Sequence, residues 1–166
     1  GYSNDPTAIG DIYEWKNSYI LDEQLYQKGL QNKQIVDFLN NLEPTTIAAD
    51  SAEPKSNDEL KLYGITVIPA RKGQGSVNAG IQNVQEKKIF VTKRSINILK
   101  EYRNYVWMTD KDGKIINEPV PIFNHHMDGI RYGFDTLLGA PSMELIKQQN
   151  QQFERNLYRQ TLNSTK

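Results

Sequence analysis

The 166-residue chain holds two histidines, and both fall in one short stretch, FNHHMDGIRYG, residues 123–133. His125 and His126 precede Asp128, and Arg131 and Tyr132 follow it. Imidazole beside a carboxylate binds divalent metals or carries protons. On a helix, His125 and Asp128 are three residues apart and share a face, while His126 points elsewhere. A second acid, Asp50, ends the short apolar run TTIAAD. The carboxyl ends of strands in alternating α/β sheets open into the crevice where ligands sit, which makes Asp50 a candidate metal ligand. The two acids lie far apart in sequence, so a partnership between them is tertiary. Converging carboxylates raise each other's pKa, and a hard cation such as Mg2+ or Mn2+ removes the repulsion. Two such metals about 3.5–4 Å apart catalyse phosphodiester cleavage. Plainer readings stand beside this one: an acid after a strand is commonly a helix cap, and a His-x-x-Asp pair is commonly a surface hydrogen bond. The residue pattern alone leaves both open.

The elements that must position these groups alternate through the middle of the chain. Residues 7–27 are rich in Ile, Tyr and Trp, with Lys16-Asn17 as a tight turn, and predict two or three antiparallel strands. NKQIVDFLNNL places Ile35, Phe38, Leu39 and Leu42 at helical spacing after Asn32 as cap. TTIAAD reads as a strand, SAEPKSNDELKLYG as a turn and short helix ended by Gly64, and ITVIPA as a buried strand. A basic glycine loop RKGQGS, a helix from Val77, the strand IFVT and the helix SINILKEYRNYVW follow. TDKDGK is a hairpin turn, and Asn124 caps a helix with apolar positions Met127, Ile130, Phe134 and Leu137. The end of the chain, with its run KQQNQQ, reads as a solvated helical tail over 141–166 behind one domain over 1–140. No Walker loop is present in the sequence.

Composition sets bounds on the class. With 37% hydrophobic and 24% charged residues the chain has ordinary globular make-up, and no apolar run approaches the roughly 20 residues that cross a bilayer. There is no cysteine, hence no disulfide or thiolate metal site. The start, GYSNDPTAIGDIYEW, is neither a basic-then-apolar leader nor a methionine, so the chain reads as a piece of something longer. Formal net charge is zero, but it is segregated: Lys61 to Arg103 holds nine basic and two acidic residues, residues 1–60 four basic and eleven acidic. This is either a set of solvated helix faces or a phosphate-tracking surface beside an acidic site.

Three stretches, GYSNDPTA, IAADSAEPKSNDELKLYGITVIPARKGQGSVNAGIQ and NEPVPIFNHHMDGIRYG, resemble the nuclease domain of tailed-phage large terminase subunits, in the right order from Gly1 to about Phe134. The resemblance implies an α/β, ribonuclease H-like fold, with a mixed central β-sheet flanked by α-helices. It implies a Mg2+- or Mn2+-dependent endonuclease that cuts concatemeric phage DNA during packaging. Asp50 and Asp128 match the family's metal ligands, and His125 the histidine before the last acid. Glu53 and Lys72 match positions near the site in supporting roles. Arg71 and Lys72, in the basic loop, are expected to meet DNA backbone. Arg131 and Tyr132 also match, with packing and helix-face hydrogen bonding as the expected roles. The family's first aspartate precedes the point at which this chain begins, and Asp5 and Asp11 do not replace it, so weak cleavage is expected. The implied partners are double-stranded DNA, the terminase ATPase domain absent from this chain, the small terminase subunit and the portal, in the host cytoplasm and with no membrane. Two other readings keep the fold: a non-catalytic DNA-docking and assembly module of the packaging motor, or another ribonuclease H-like enzyme such as a junction resolvase.

Overall fold

The computed structural model describes residues 5–138, so the expected tail over 141–166 lies outside the described residues. Strands β1 (Pro6–Trp15) and β2 (Ser18–Lys28) form the hairpin expected from the aromatic and β-branched opening, with two strands rather than three. It closes on Lys16-Asn17, where Lys16 takes φ 55°. The register shifts between Ile9 and Gly10, leaving Gln24 of β2 without an opposite residue. Ile9 and Ile12 are three residues apart on β1 and so face opposite sides of the sheet. Ile9 packs on a core of Ile35, Val36, Leu60 and Val67, and Ile12 on a core of Leu21, Ile98 and Phe134.

Helix α1 (Asn32–Leu39) buries Ile35 and Val36, but its N-cap is Gln31 and not Asn32. The Gln31 N–H donates to Gln34 Oε1 at 2.9 Å, while the Asn32 amide donates to Glu59 Oε2 at 2.7 Å and is thereby spent on a neighbouring helix. That neighbour is α2 (Pro54–Leu62), which joins the parallel strands β3 (Ile47–Ala49) and β4 (Val67–Pro69). Pro54 sits in its first turn, where a missing N–H costs nothing. Gly64, at φ 85°, ends it, and the Ile65 N–H returns to Leu60 O at 3.2 Å.

Helix α3 (Ser76–Gln85) leads to β5 (Ile89–Val91), which pairs parallel with β2 and makes the ladder β1-β2-β5 mixed, as expected. Helix α4 (Ile96–Asn104) precedes the hairpin β6 (Trp107–Thr109) and β7 (Ile115–Pro119), and α5 (His125–Tyr132) continues into a π-helical turn, Gly133–Leu138. Gly133 lies directly on Ile12, since a Cβ there would stand 2.5 Å from its Cδ1. Among the described residues the single sheet expected divides into three ladders, β1-β2-β5, β3-β4 and β6-β7. Helix α5 packs on both β1 and β3 and so bridges the first two. Charge segregated along the sequence is re-paired in space, Arg94 with Asp22 and Lys72 with Asp50.

Candidate functional site

Asp50 leaves the C-terminal end of β3, and the chain turns at once: its Oδ1 accepts the Ala52 N–H at 2.7 Å. The buried Asn57 amide donates to the Asp50 carbonyl at 2.8 Å, anchoring the turn to α2. Parallel pairing extends one residue beyond the strands, with Ala70 N–H donating to Ala49 O at 2.7 Å, and so delivers Lys72 to the same strand end. Lys72 pairs with Asp50 Oδ1, both side chains being about two-fifths exposed. Tyr132 OH reaches Asp50 Oδ2 at 3.4 Å, and the Lys72 ammonium stands 5.4 Å over the Tyr132 ring. Burial pushes the Asp50 carboxyl up, but hydrogen bonds from Lys72 and the Ala52 N–H outweigh it and hold the group below the usual carboxylate range. Burial likewise favours neutral Lys72, and the bond to Asp50 reverses that, raising its pKa.

Asp128 lies in the first turn of α5 and is gripped on both oxygens: Oδ1 accepts Arg131 Nη2 at 2.8 Å, Oδ2 the Asn124 amide at 3.2 Å. Asn124 is the N-cap residue expected, yet its side chain serves Asp128 and not a backbone N–H. Arg131 is buried, its Cζ 4.9 Å over the Tyr132 ring, and is pressed onto Gly80 of α3. A cavity of about 380 Å³ opens here, lined by Lys72, Ser76, Tyr105, Asn124, Asp128, Arg131 and Tyr132 among others. Tyr132 joins the two acids: burial raises its pKa first, then the negative charges of Asp128 and Asp50. The helix-face hydrogen bonding expected of Arg131 is its ion pair with Asp128, whereas the contact of Tyr132 with Asp50 reaches another element and has no local signal.

The remaining candidates sit around this centre. His125 is half-buried, its ring edge-on to Tyr26 at 6.3 Å, and it is not among the residues lining the cavity. His126 is a core group: 3% exposed, stacked on Tyr26 at 5.3 Å, with Nε2 3.5 Å from Glu23 Oε2. Burial lowers its pKa more than the charges of Glu101 and Glu23 raise it. Glu53 is the N-cap residue of α2 and has its N–H on Asp50 O at 3.3 Å. Arg71 is exposed, held by its backbone N–H to Thr136 Oγ1 at 3.4 Å.

Asp128 lines the cavity, and Asp50 is bonded to two of the lining residues, Lys72 and Tyr132; each carboxylate is paired with a cationic side chain, and carboxylate oxygen is the donor type that a hard divalent ion takes. Among the described residues no group of three or more His, Asp or Glu side chains converges, so such an ion would draw its other ligands from water and phosphate. Lys72, partly exposed, has room to turn aside; Arg131 does not.

The terminase RNase H-like domain model matches residues 1–136. The large terminase subunit of Bacillus phage SPP1 is 36% identical over 148 residues, 81% of this chain, and the PBSX phage terminase large subunit of Bacillus subtilis strain 168 is 33% identical over 125 residues, 74% of it. The chain spans about a third of the length of these relatives. The nuclease domain of the SPP1 large terminase, solved with bound Mn, superposes with a TM-score of 0.72 at 34% identity, covering 81% of each chain. The large terminase of a thermophilic bacteriophage shares the fold at 21% identity, with a TM-score of 0.65 over 83% of this chain and 38% of its own. This chain therefore belongs to the terminase RNase H-like domain family and has the fold of its nuclease domains.

Proposed function

We propose that this chain is the metal-dependent endonuclease module of a viral DNA-packaging terminase, an endodeoxyribonuclease that hydrolyses phosphodiester bonds of concatemeric phage DNA. The observation that supports the reading is that Asp128 lines the cavity while Asp50, from a distant part of the sequence, bonds two of the residues lining it, Lys72 and Tyr132. Asp50 and Asp128 hold Mg2+ or Mn2+, with His125 as a further donor or proton carrier. The bound Mn in the related SPP1 domain supports this choice of ion. When bound, such a cation supplies Lewis-acid stabilisation of charge on the phosphoryl oxygens. Lys72, released from Asp50, and Arg71 beside it hold the DNA backbone, and Glu53 steadies the turn that presents Asp50. The partners are double-stranded DNA and, in the assembled motor, the ATPase domain, the small subunit and the portal, in the host cytoplasm.

A second reading is a non-catalytic DNA-docking module. It is favoured by the ion pairs already closed on both acids and by the want of a third converging acid among the described residues. Nicking of supercoiled plasmid separates the two. The endonuclease reading expects slow, Mn2+-dependent nicking by this chain, slow because two carboxylates are fewer than a two-metal centre draws on, and its loss in Asp128→Asn. Nicking that Asp128→Asn leaves unchanged would contradict it.

A further inference from the structure

We propose that Glu101 is a positioning residue for the α5 site: from α4, its buried carboxylate fixes the first turn of α5 and the Tyr26 ring, and thereby where Asp128 and His125 stand. The inference rests on the metal-centre reading above. Glu101 is 1% exposed and lies one turn from Ile98, on the face that α4 turns to the core. A carboxylate in such a place is tolerated only when its oxygens are fully used. Here they are: Oε2 accepts the His126 N–H at 2.6 Å and the Met127 N–H at 3.2 Å, and Oε1 accepts Tyr26 OH at 2.9 Å.

Those two amides belong to the opening turn of α5, where no intrahelical acceptor exists and the helix dipole favours negative charge. Such a carboxylate ordinarily comes from the N-cap side chain. In α5 the cap is supplied by another helix, and the Asn124 amide is left for Asp128 Oδ2. Glu101 thus clamps the turn that carries Asp128, while the Asn124 amide donates to the carboxylate itself. Through Tyr26 it also fixes the aromatic surface against which the His125 ring rests. The same device recurs one element earlier. Glu23 of β2 accepts the Asn97 and Ile98 N–H groups at 2.9 and 3.0 Å and the Asn97 amide at 2.6 Å, locking α4 itself to the sheet. A half-buried acid thus registers β2 to α4, and a buried one α4 to α5, ending at the site.

The test is Mn2+ binding by this chain, followed by the loss of the free-ion paramagnetic resonance signal well below the melting temperature, together with amide hydrogen exchange in metal-free protein. Glu101→Ala is expected to weaken Mn2+ binding about 10- to 100-fold, the range typical of groups that orient metal ligands. It should also speed exchange at Met127 and Asp128 with no change in α2. Glu101→Gln, whose carbonyl oxygen still accepts an N–H, should recover most of the affinity. A folded Glu101→Ala with wild-type affinity and unchanged exchange in α5 overturns the proposal. Should that variant fail to fold, Tyr26→Phe replaces it: severalfold weaker binding supports the proposal, and wild-type binding overturns it. If wild-type protein takes up no Mn2+, the metal reading fails alone, and the exchange arm decides the role of Glu101 by the same two outcomes.

Discussion

Asp50 owes its lowered pKa to a competition that the Lys72 bond wins over burial, and this fixes the sign of its contribution to stability. A depressed folded-state value gives stabilisation that is present above the unfolded value of about 3.9 and is lost as pH falls through the folded value. Thermal melts across the acid range should therefore show Asp50→Asn flattening the acid limb of the stability curve, by less than about 1 kcal/mol because the pair is partly exposed. An acid limb identical to wild type would contradict the assignment. At this scale much was legible in the sequence. Asp50 was placed by the strand it ends and Lys72 by the basic loop, and both arrive at one strand end because β3 and β4 pair in parallel. Glu101 was not, because an acid in a helical run ordinarily reads as solvated; its phase with Ile98 was the available signal. Helical spacing turns His126 away from the Asp128 face, but its burial between Tyr26 and Glu23 depends on β2, which no local pattern reveals.

Helix α3 packs on α5 and the π-helical turn after it, and Gly80 is the close contact. A Cβ there would stand 2.4 Å from Arg131 Cγ and 2.5 Å from Asp135 Oδ2, inside any real contact distance. Gly80→Ala must displace the buried Arg131 side chain, so we expect a loss of about 1–3 kcal/mol by denaturant melt despite the better helix propensity of alanine. A neutral or stabilising result would mean that α3 and α5 are packed more loosely than described. Element order and type up to α4 could be read from the sequence because strand-rich and helix-spaced runs alternate with clear stops such as Gly64, but the helix expected over SINILKEYRNYVW ends at Asn104 and Trp107 opens β6 instead. Boundaries were less legible. The cap moved from Asn32 to Gln31 because the Asn32 side chain has a tertiary partner in Glu59. No local pattern announces the π-helical turn after Tyr132, and three-residue strands are too short to announce which ladder they join.

For the whole molecule, charge that looks segregated along the chain is partly cancelled in the fold, since Lys72 and Arg94 sit on acids. Arg71 is exposed and, among the described residues, in no ion pair, so it should carry a full share of any phosphate contact. If the basic loop meets DNA, affinity for duplex should fall about three- to fourfold per phosphate contact between 50 and 200 mM salt, and Arg71→Ala should reduce the logarithmic salt slope by about one. An unchanged slope would remove Arg71 from the interface. The family match over residues 1–136 gives the architecture, but the account stands or falls on where a divalent ion goes. Crystals grown with Mn2+ and measured at its absorption edge decide this. The account predicts an anomalous peak between the Asp50 and Asp128 carboxylates, with the Lys72 ammonium moved off Asp50. No peak there at saturating Mn2+, or a peak elsewhere with both ion pairs intact, would contradict it.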